Sequence, residues 1–137
     1  MPTFDDNLKF SNMNQALKNA FAILIFTFVS TIVSAQYKMD SDGKTLRNSN
    51  NSSVGRIDSD GKTIRNSNNS SVGRVDSDGK TIRNSSNSAV LKIDGNTIRN
   101  SSNSSIAKMS DVTHDIKGAK EEAIYVALWW FLVKENK

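Results

Sequence analysis

The sequence predicts an all-β fold of five tandem β-hairpin units, completed by one apolar helix at the C-terminus. Three observations carry this expectation. A nearly verbatim segment recurs from Met39 onward, most copies hold an Asp-Gly turn between β-branched residues, and an unbroken apolar run extends from Ala123 to Val133.

The units open at Met39, Ile57, Val75, Ile93 and Met109, at spacings of 18, 18, 18 and 16 residues. In the second unit, Val54-Gly55-Arg56-Ile57-Asp58 leads into Ser59-Asp60-Gly61, and Lys62-Thr63-Ile64-Arg65 leads out. Asp-Gly between β-branched residues is a hairpin signal, because glycine takes the positive φ that a tight turn requires. In the fourth unit the turn shrinks to Asp94-Gly95. A two-residue loss keeps the in/out parity of a strand, whereas a one-residue loss would turn every side chain to the other face. The fifth unit has no turn glycine, yet Met109 and Ile116 keep the seven-residue separation of Met39–Leu46, Ile57–Ile64 and Val75–Ile82. It reads as a degenerate terminal hairpin, and terminal repeats are commonly atypical. The Ser/Asn tracts between units, such as Asn66 to Ser71, have a fixed length between apolar positions and are expected to be ordered turns.

The C-terminal helix is expected over about 119–134. Glu121 and Glu122 suit a helix first turn, where the dipole favours acids. Eleven apolar residues reach about 16 Å, short of the ~30 Å hydrocarbon core of a bilayer. A helix apolar on all sides is normally buried, so the segment reads as an internal plug centred on Trp129, Trp130 and Phe131, with a membrane-inserting tail as the competing reading. The repeats need such a plug. Roughly three aliphatics per unit, at about 1.5–3 kcal/mol for each large buried side chain, scarcely offset the ordering of polar loops.

Residues 1–35 form an expected signal peptide. Lys18 precedes the apolar run Ala20–Val33, and Val33-Ser34-Ala35 supplies the small residues of a cleavage site. Met13 opens a more ordinary leader than Met1. Cleavage between Ala35 and Gln36 would leave 36–137 as one domain in the periplasm, on the outer surface or in the medium. Both Lys/Arg and Asp/Glu lose two members with the leader, so the net charge stays at +4. Cysteine is absent, which excludes disulfides, a thiol nucleophile and a lipoprotein cysteine.

With Val54-Gly55-Arg56-Ile57-Asp58, Val72-Gly73-Arg74-Val75-Asp76 and the turn glycines Gly43, Gly61, Gly79 and Gly95, the chain resembles the bacterial five-fold β-flower proteins over about residues 37–133. The resemblance implies hairpins arranged radially as a shallow barrel whose axis is filled by apolar side chains and a helix. It implies no established activity. Leu91 and Ala107 depart from it by replacing the glycine before the basic residue.

Candidate chemistry is sparse. Asp58-Ser59-Asp60-Gly61 and its copies resemble the opening of a calcium loop, but calcium wants six to eight oxygens and a distal acid, so a turn is the expected role. Basic residues recur at two positions per unit: Arg47, Arg65, Arg83, Arg99 and Lys117, and Lys38, Arg56, Arg74, Lys92 and Lys108. In a ring each set becomes a rim of positive field for an anionic lipid or surface polysaccharide, unless Arg56 and Asp58 pair with neighbouring units. His114, the single histidine, aligns with Lys44 and Lys62 and is expected at an outward strand site. No serine has a histidine base at a defined place in the repeat, and no aromatic is interleaved with the basic residues as nucleic-acid binding would require. The sequence therefore argues for an exported, non-enzymatic structural or binding module of the cell envelope, with no cofactor. A lipid-binding domain using the basic rim and the C-terminal aromatics is the alternative. A β-solenoid of the same period is the alternative for the fold.

Overall fold

A computed structural model describes residues 35–135. The expected leader through Ser34 lies outside the described residues. The strands are β1 (Tyr37–Met39), β2 (Thr45–Asn48), β3 (Ser53–Ile57), β4 (Thr63–Asn66), β5 (Ser71–Val75), β6 (Thr81–Asn84), β7 (Ala89–Asp94), β8 (Thr97–Asn100), β9 (Ser105–Lys108) and β10 (Ile116–Lys117). They form a single ten-stranded sheet in the order β10-β1-β2-β3-β4-β5-β6-β7-β8-β9. All neighbours are antiparallel except β1 and β10, which are parallel.

The hairpins lie where the repeat puts them. In the fourth unit Asp94 pairs with Thr97, so the two-residue turn is Gly95-Asn96, one position later than the sequence suggested. The Ser/Asn connectors are ordered turns. Asn48 Oδ1 accepts the N–H groups of Asn50 and Ser52 at 3.0 Å, and Asn51 takes φ 64°. Asn69, Asn87 and Asn103 repeat that left-handed residue, a conformation that asparagine tolerates better than most side chains.

The fifth unit is not a hairpin. Helix α1 (Met109–Asp115) stands where its turn was expected, between β9 and β10. The turn glycine at Gly43, Gly61, Gly79 and Gly95 adopts φ between 58° and 69°, and Thr113 holds that place in the fifth unit. A β-branched residue resists positive φ. The segment coils instead, buries Val112 completely, and lets Asp111 accept the Lys108 N–H at 2.8 Å. The seven-residue frame still holds, since Met109 and Ile116 are both buried.

This helix also completes the ring. Tyr37 pairs with Ile116 and Lys38 with Lys117, so the first unit lies beside the fifth. Strands β9 and β10 end the sheet, and α1, about 10 Å long, joins them. A solenoid would put units one and five at opposite ends of a stack. The β1–β10 pairing is incompatible with that arrangement.

Inside the ring, Leu46, Ile64, Ile82, Ile98 and Ile116 form a fully buried layer with one residue from each unit, and Ile57, Val75, Ile93 and Met109 form a second. The axis is filled by α2 (Ala123–Trp129), which continues as a π-helical turn over Trp130–Lys134. The helix starts at Ala123, later than expected. Glu122 is its extended N-cap, which leaves Glu121 outside the first turn. Residues 119–122 instead carry the chain from the ring wall, where Gly118 turns at φ 87°, to the axis.

The segment is an internal plug rather than a tail. Trp129 is 2 % exposed and Phe131 5 %, whereas Trp130 is only half-buried and its indole Nε1 has no hydrogen-bond partner. No helix among the described residues is long and apolar enough to cross a membrane. The plug also accounts for the glycine departures. A Cβ on Gly55 would strike Leu132, and a Cβ on Gly73 would lie inside the Phe131 ring. Leu91 and Ala107 occupy the equivalent places opposite Ile82 and Ile98. The bulky plug residues thus lean on the glycine side, and Leu91, 2 % exposed, fills space elsewhere in the wall.

Candidate binding surface

The register turns the two expected basic rims into one belt. Lys38 lies opposite Arg47, Arg56 opposite Arg65, Arg74 opposite Arg83, and Lys92 opposite Arg99. These residues alternate with the buried layer, so their side chains share the outward face. Like charges directly across a ladder repel, and an aspartate from the turn separates them. Arg65 Nε donates to Asp58 Oδ2 at 2.7 Å while Arg56 Nη1 donates to Asp58 Oδ1 at 3.0 Å. Asp76 holds Arg83 and Arg74 with the same distances. Arg47 and Arg99 reach Asp40 and Asp94 at 2.8 and 3.2 Å.

These ion pairs lie within a hairpin, not between neighbouring units. The link to the next connector is neutral: Arg56 Nη2 donates to Asn69 Oδ1 at 2.7 Å, as Arg74 does to Asn87. One acid therefore serves two cations in the second and third hairpins and one arginine in the first and fourth, and the belt keeps a positive excess. Lys38, Lys92, Lys108 and Lys117 form no ion pair among the described residues. At the ring seam, Lys117, Lys38 and Arg47 sit side by side in register on β10, β1 and β2 with Asp40 as the one paired acid.

A family model for the 5-fold beta-flower protein matches residues 31–132, most of the chain. The chain belongs to the five-fold β-flower proteins. No curated protein and no solved structure matches it.

The second aspartate of the first three β-flower turns has a different task from the first. Asp42 Oδ1 accepts the N–H groups of Lys44 and Thr45 at 2.8 and 2.9 Å, and its Oδ2 accepts the Thr45 hydroxyl at 2.7 Å. Asp60 and Asp78 repeat the pattern. The carboxylates that resembled a calcium loop are thus divided between arginines and turn amides, and among the described residues no three His, Asp or Glu gather to hold a metal ion. His114 lies exposed on α1, not on a strand, with Nδ1 3.3 Å from Asp115 Oδ1. Sequence reasoning missed Asp115. Burial raises its carboxyl pKa, but the Trp129 indole N–H at 2.8 Å and the neighbouring His114 and Lys134 outweigh that and hold it below its ordinary value. With Tyr125 donating to the Gly43 carbonyl at 3.1 Å, it pins the plug to the ring.

The turns set a pH dependence. Backbone hydrogen bonds from Thr45 and Lys44 lower Asp42 from 3.8 to about 2, and the Thr81 hydroxyl and amide do the same for Asp78. Asp58 and Asp60 are lowered too, chiefly by Arg65 and by the Thr63 hydroxyl. A depressed folded-state pKa gives stability that is complete above the unfolded value and lost as pH falls through the folded one. Thermal melts should show a stable plateau down to about pH 4 and a falling midpoint from there toward pH 2. A midpoint already declining near pH 6 would contradict this assignment.

Proposed function

We propose that this β-flower is exported and acts, without catalysing a reaction, as a binding module of the bacterial cell envelope that meets anionic surfaces through its outward belt. The observation that supports this best is the seam of Lys117, Lys38 and Arg47, three cations on adjacent strands with one paired acid. Adjacent strands lie about 4.8 Å apart, so such a row concentrates positive potential and attracts anionic groups. Contact is by charge. Tyr125, Trp129 and Phe131 are buried in the core and stay out of any interface. Export is supported by the apolar run and small-residue cleavage pattern ending at Ala35.

Cosedimentation with vesicles tests the reading. The protein secreted by its host should begin at Gln36, adhere to vesicles rich in phosphatidylglycerol or to an anionic polysaccharide resin, and ignore phosphatidylcholine vesicles. Retention should fall with added salt and drop severalfold in a Lys38→Gln/Lys117→Gln variant. Equal retention on neutral and anionic supports, or none on either anionic support, would refute the proposal.

A further inference from the structure

The plug does not cover the turn end of the ring evenly. Tyr125 engages the first turn through the Gly43 carbonyl, whereas a Cβ added at Gly61, Gly79 or Gly95 would meet nothing within 4 Å. The fourth hairpin is also two residues shorter than the second and third. Where that turn retreats, a cleft of about 660 Å³ opens between the turns of hairpins two to four and the segment that enters α2. Its floor is apolar and includes Val75, Ile93, Met109 and Ile124. Lys62 and Lys80 line it from the turns, Glu121 and Glu122 line it from the entering segment, and Asp76 also lines it with its two carboxylate oxygens engaged by Arg74 and Arg83.

The two lysines and two glutamates are exposed, and no ion pair joins them across the cleft. Opposite charges facing one cleft above an apolar floor are complementary to a molecule that carries both charges and an apolar group between them. The volume falls in the range of small-molecule sites, which combine apolar lining with a few placed polar groups. We propose that this cleft binds a short zwitterionic peptide of two or three residues. Lys62 and Lys80 take its carboxylate, Glu121 and Glu122 take its ammonium group, and an apolar side chain rests on Val75 and Ile93. The site is separate from the outward belt, and it stands or falls independently of anionic-surface binding.

Titration calorimetry with the dipeptide leucyl-leucine tests it, alongside the same dipeptide acetylated at its N-terminus or amidated at its C-terminus. Leucyl-leucine should bind saturably, and each cap should weaken binding about tenfold or more, as expected for loss of a charge-assisted contact. In Lys62→Gln/Lys80→Gln, amidation should no longer matter. In Glu121→Gln/Glu122→Gln, acetylation should no longer matter. All four positions are exposed, so the variants should melt like the parent. Absence of saturable binding, equal binding of the capped and free dipeptides, or unchanged cap sensitivity in both variants would overturn the proposal.

Discussion

Ending the chain after Glu122 should abolish cooperative unfolding of the ring. The truncation removes Tyr125, Val126, Leu128, Trp129, Phe131, Leu132 and Val133, all buried large side chains. At about 1.5–3 kcal/mol each, they contribute roughly 10–20 kcal/mol, as much as the whole ~5–15 kcal/mol stability of a small domain. The remaining wall would surround an empty axis, and a cavity of that size cannot be closed by small adjustments. A truncated protein that melts cooperatively at the parent temperature would show the helix to be peripheral. The same logic grades the two tryptophans. Trp129→Ala should cost about 3–5 kcal/mol, because it empties a core site and leaves Asp115 without the indole donor. Trp130→Ala should cost clearly less, since Trp130 is half-buried.

Exchanging glycine and leucine between equivalent places in the ring should damage both. Gly73 and Leu91 occupy matching positions opposite Ile64 and Ile82, so the local repeat alone treats them as interchangeable. The plug does not. A side chain at Gly73 enters the Phe131 ring, and Gly73→Leu should destabilise by about 3 kcal/mol or more, at the upper end of overpacking costs. Leu91→Gly should cost about 2–5 kcal/mol by leaving a void. Adding Phe131→Ala to Gly73→Leu should recover part of the loss, because the new leucine then takes the space the ring occupied. Denaturant unfolding of the two single variants and the double variant measures this. Additive losses would mean that Gly73 and Phe131 are not in contact.

The hairpins, the ordered connectors and the buried plug were legible in the sequence because they rest on local rules. Asp-Gly fixes a turn, alternation fixes which side chain faces inward, and an all-apolar helix must be covered. The same repeat marked the basic positions. It could not tell that Arg56 and Arg65 would lie opposite each other with Asp58 between them, because that register depends on how the turn closes, with the Asp58 N–H donating to the Thr63 carbonyl. Asp115 gave no signal either. Its partner, Trp129, is fourteen residues away and reaches it only after the plug enters the ring.

By itself, the sequence determined the unit: its length, its turn chemistry, its inward aliphatics and the need for a shared core. Tertiary structure decided how the units close. A repeating hairpin has no end, and both a ring and a stack satisfy each unit equally well. The choice was made at the fifth unit, where Thr113 replaces the turn glycine and α1 forms in place of a hairpin. That helix brings β10 beside β1 in parallel, and the axial plug breaks the remaining symmetry by requiring glycine on one side of the wall and leucine on the other. Both outcomes follow from contacts between residues far apart in the chain, and such contacts exist only once the whole core is assembled.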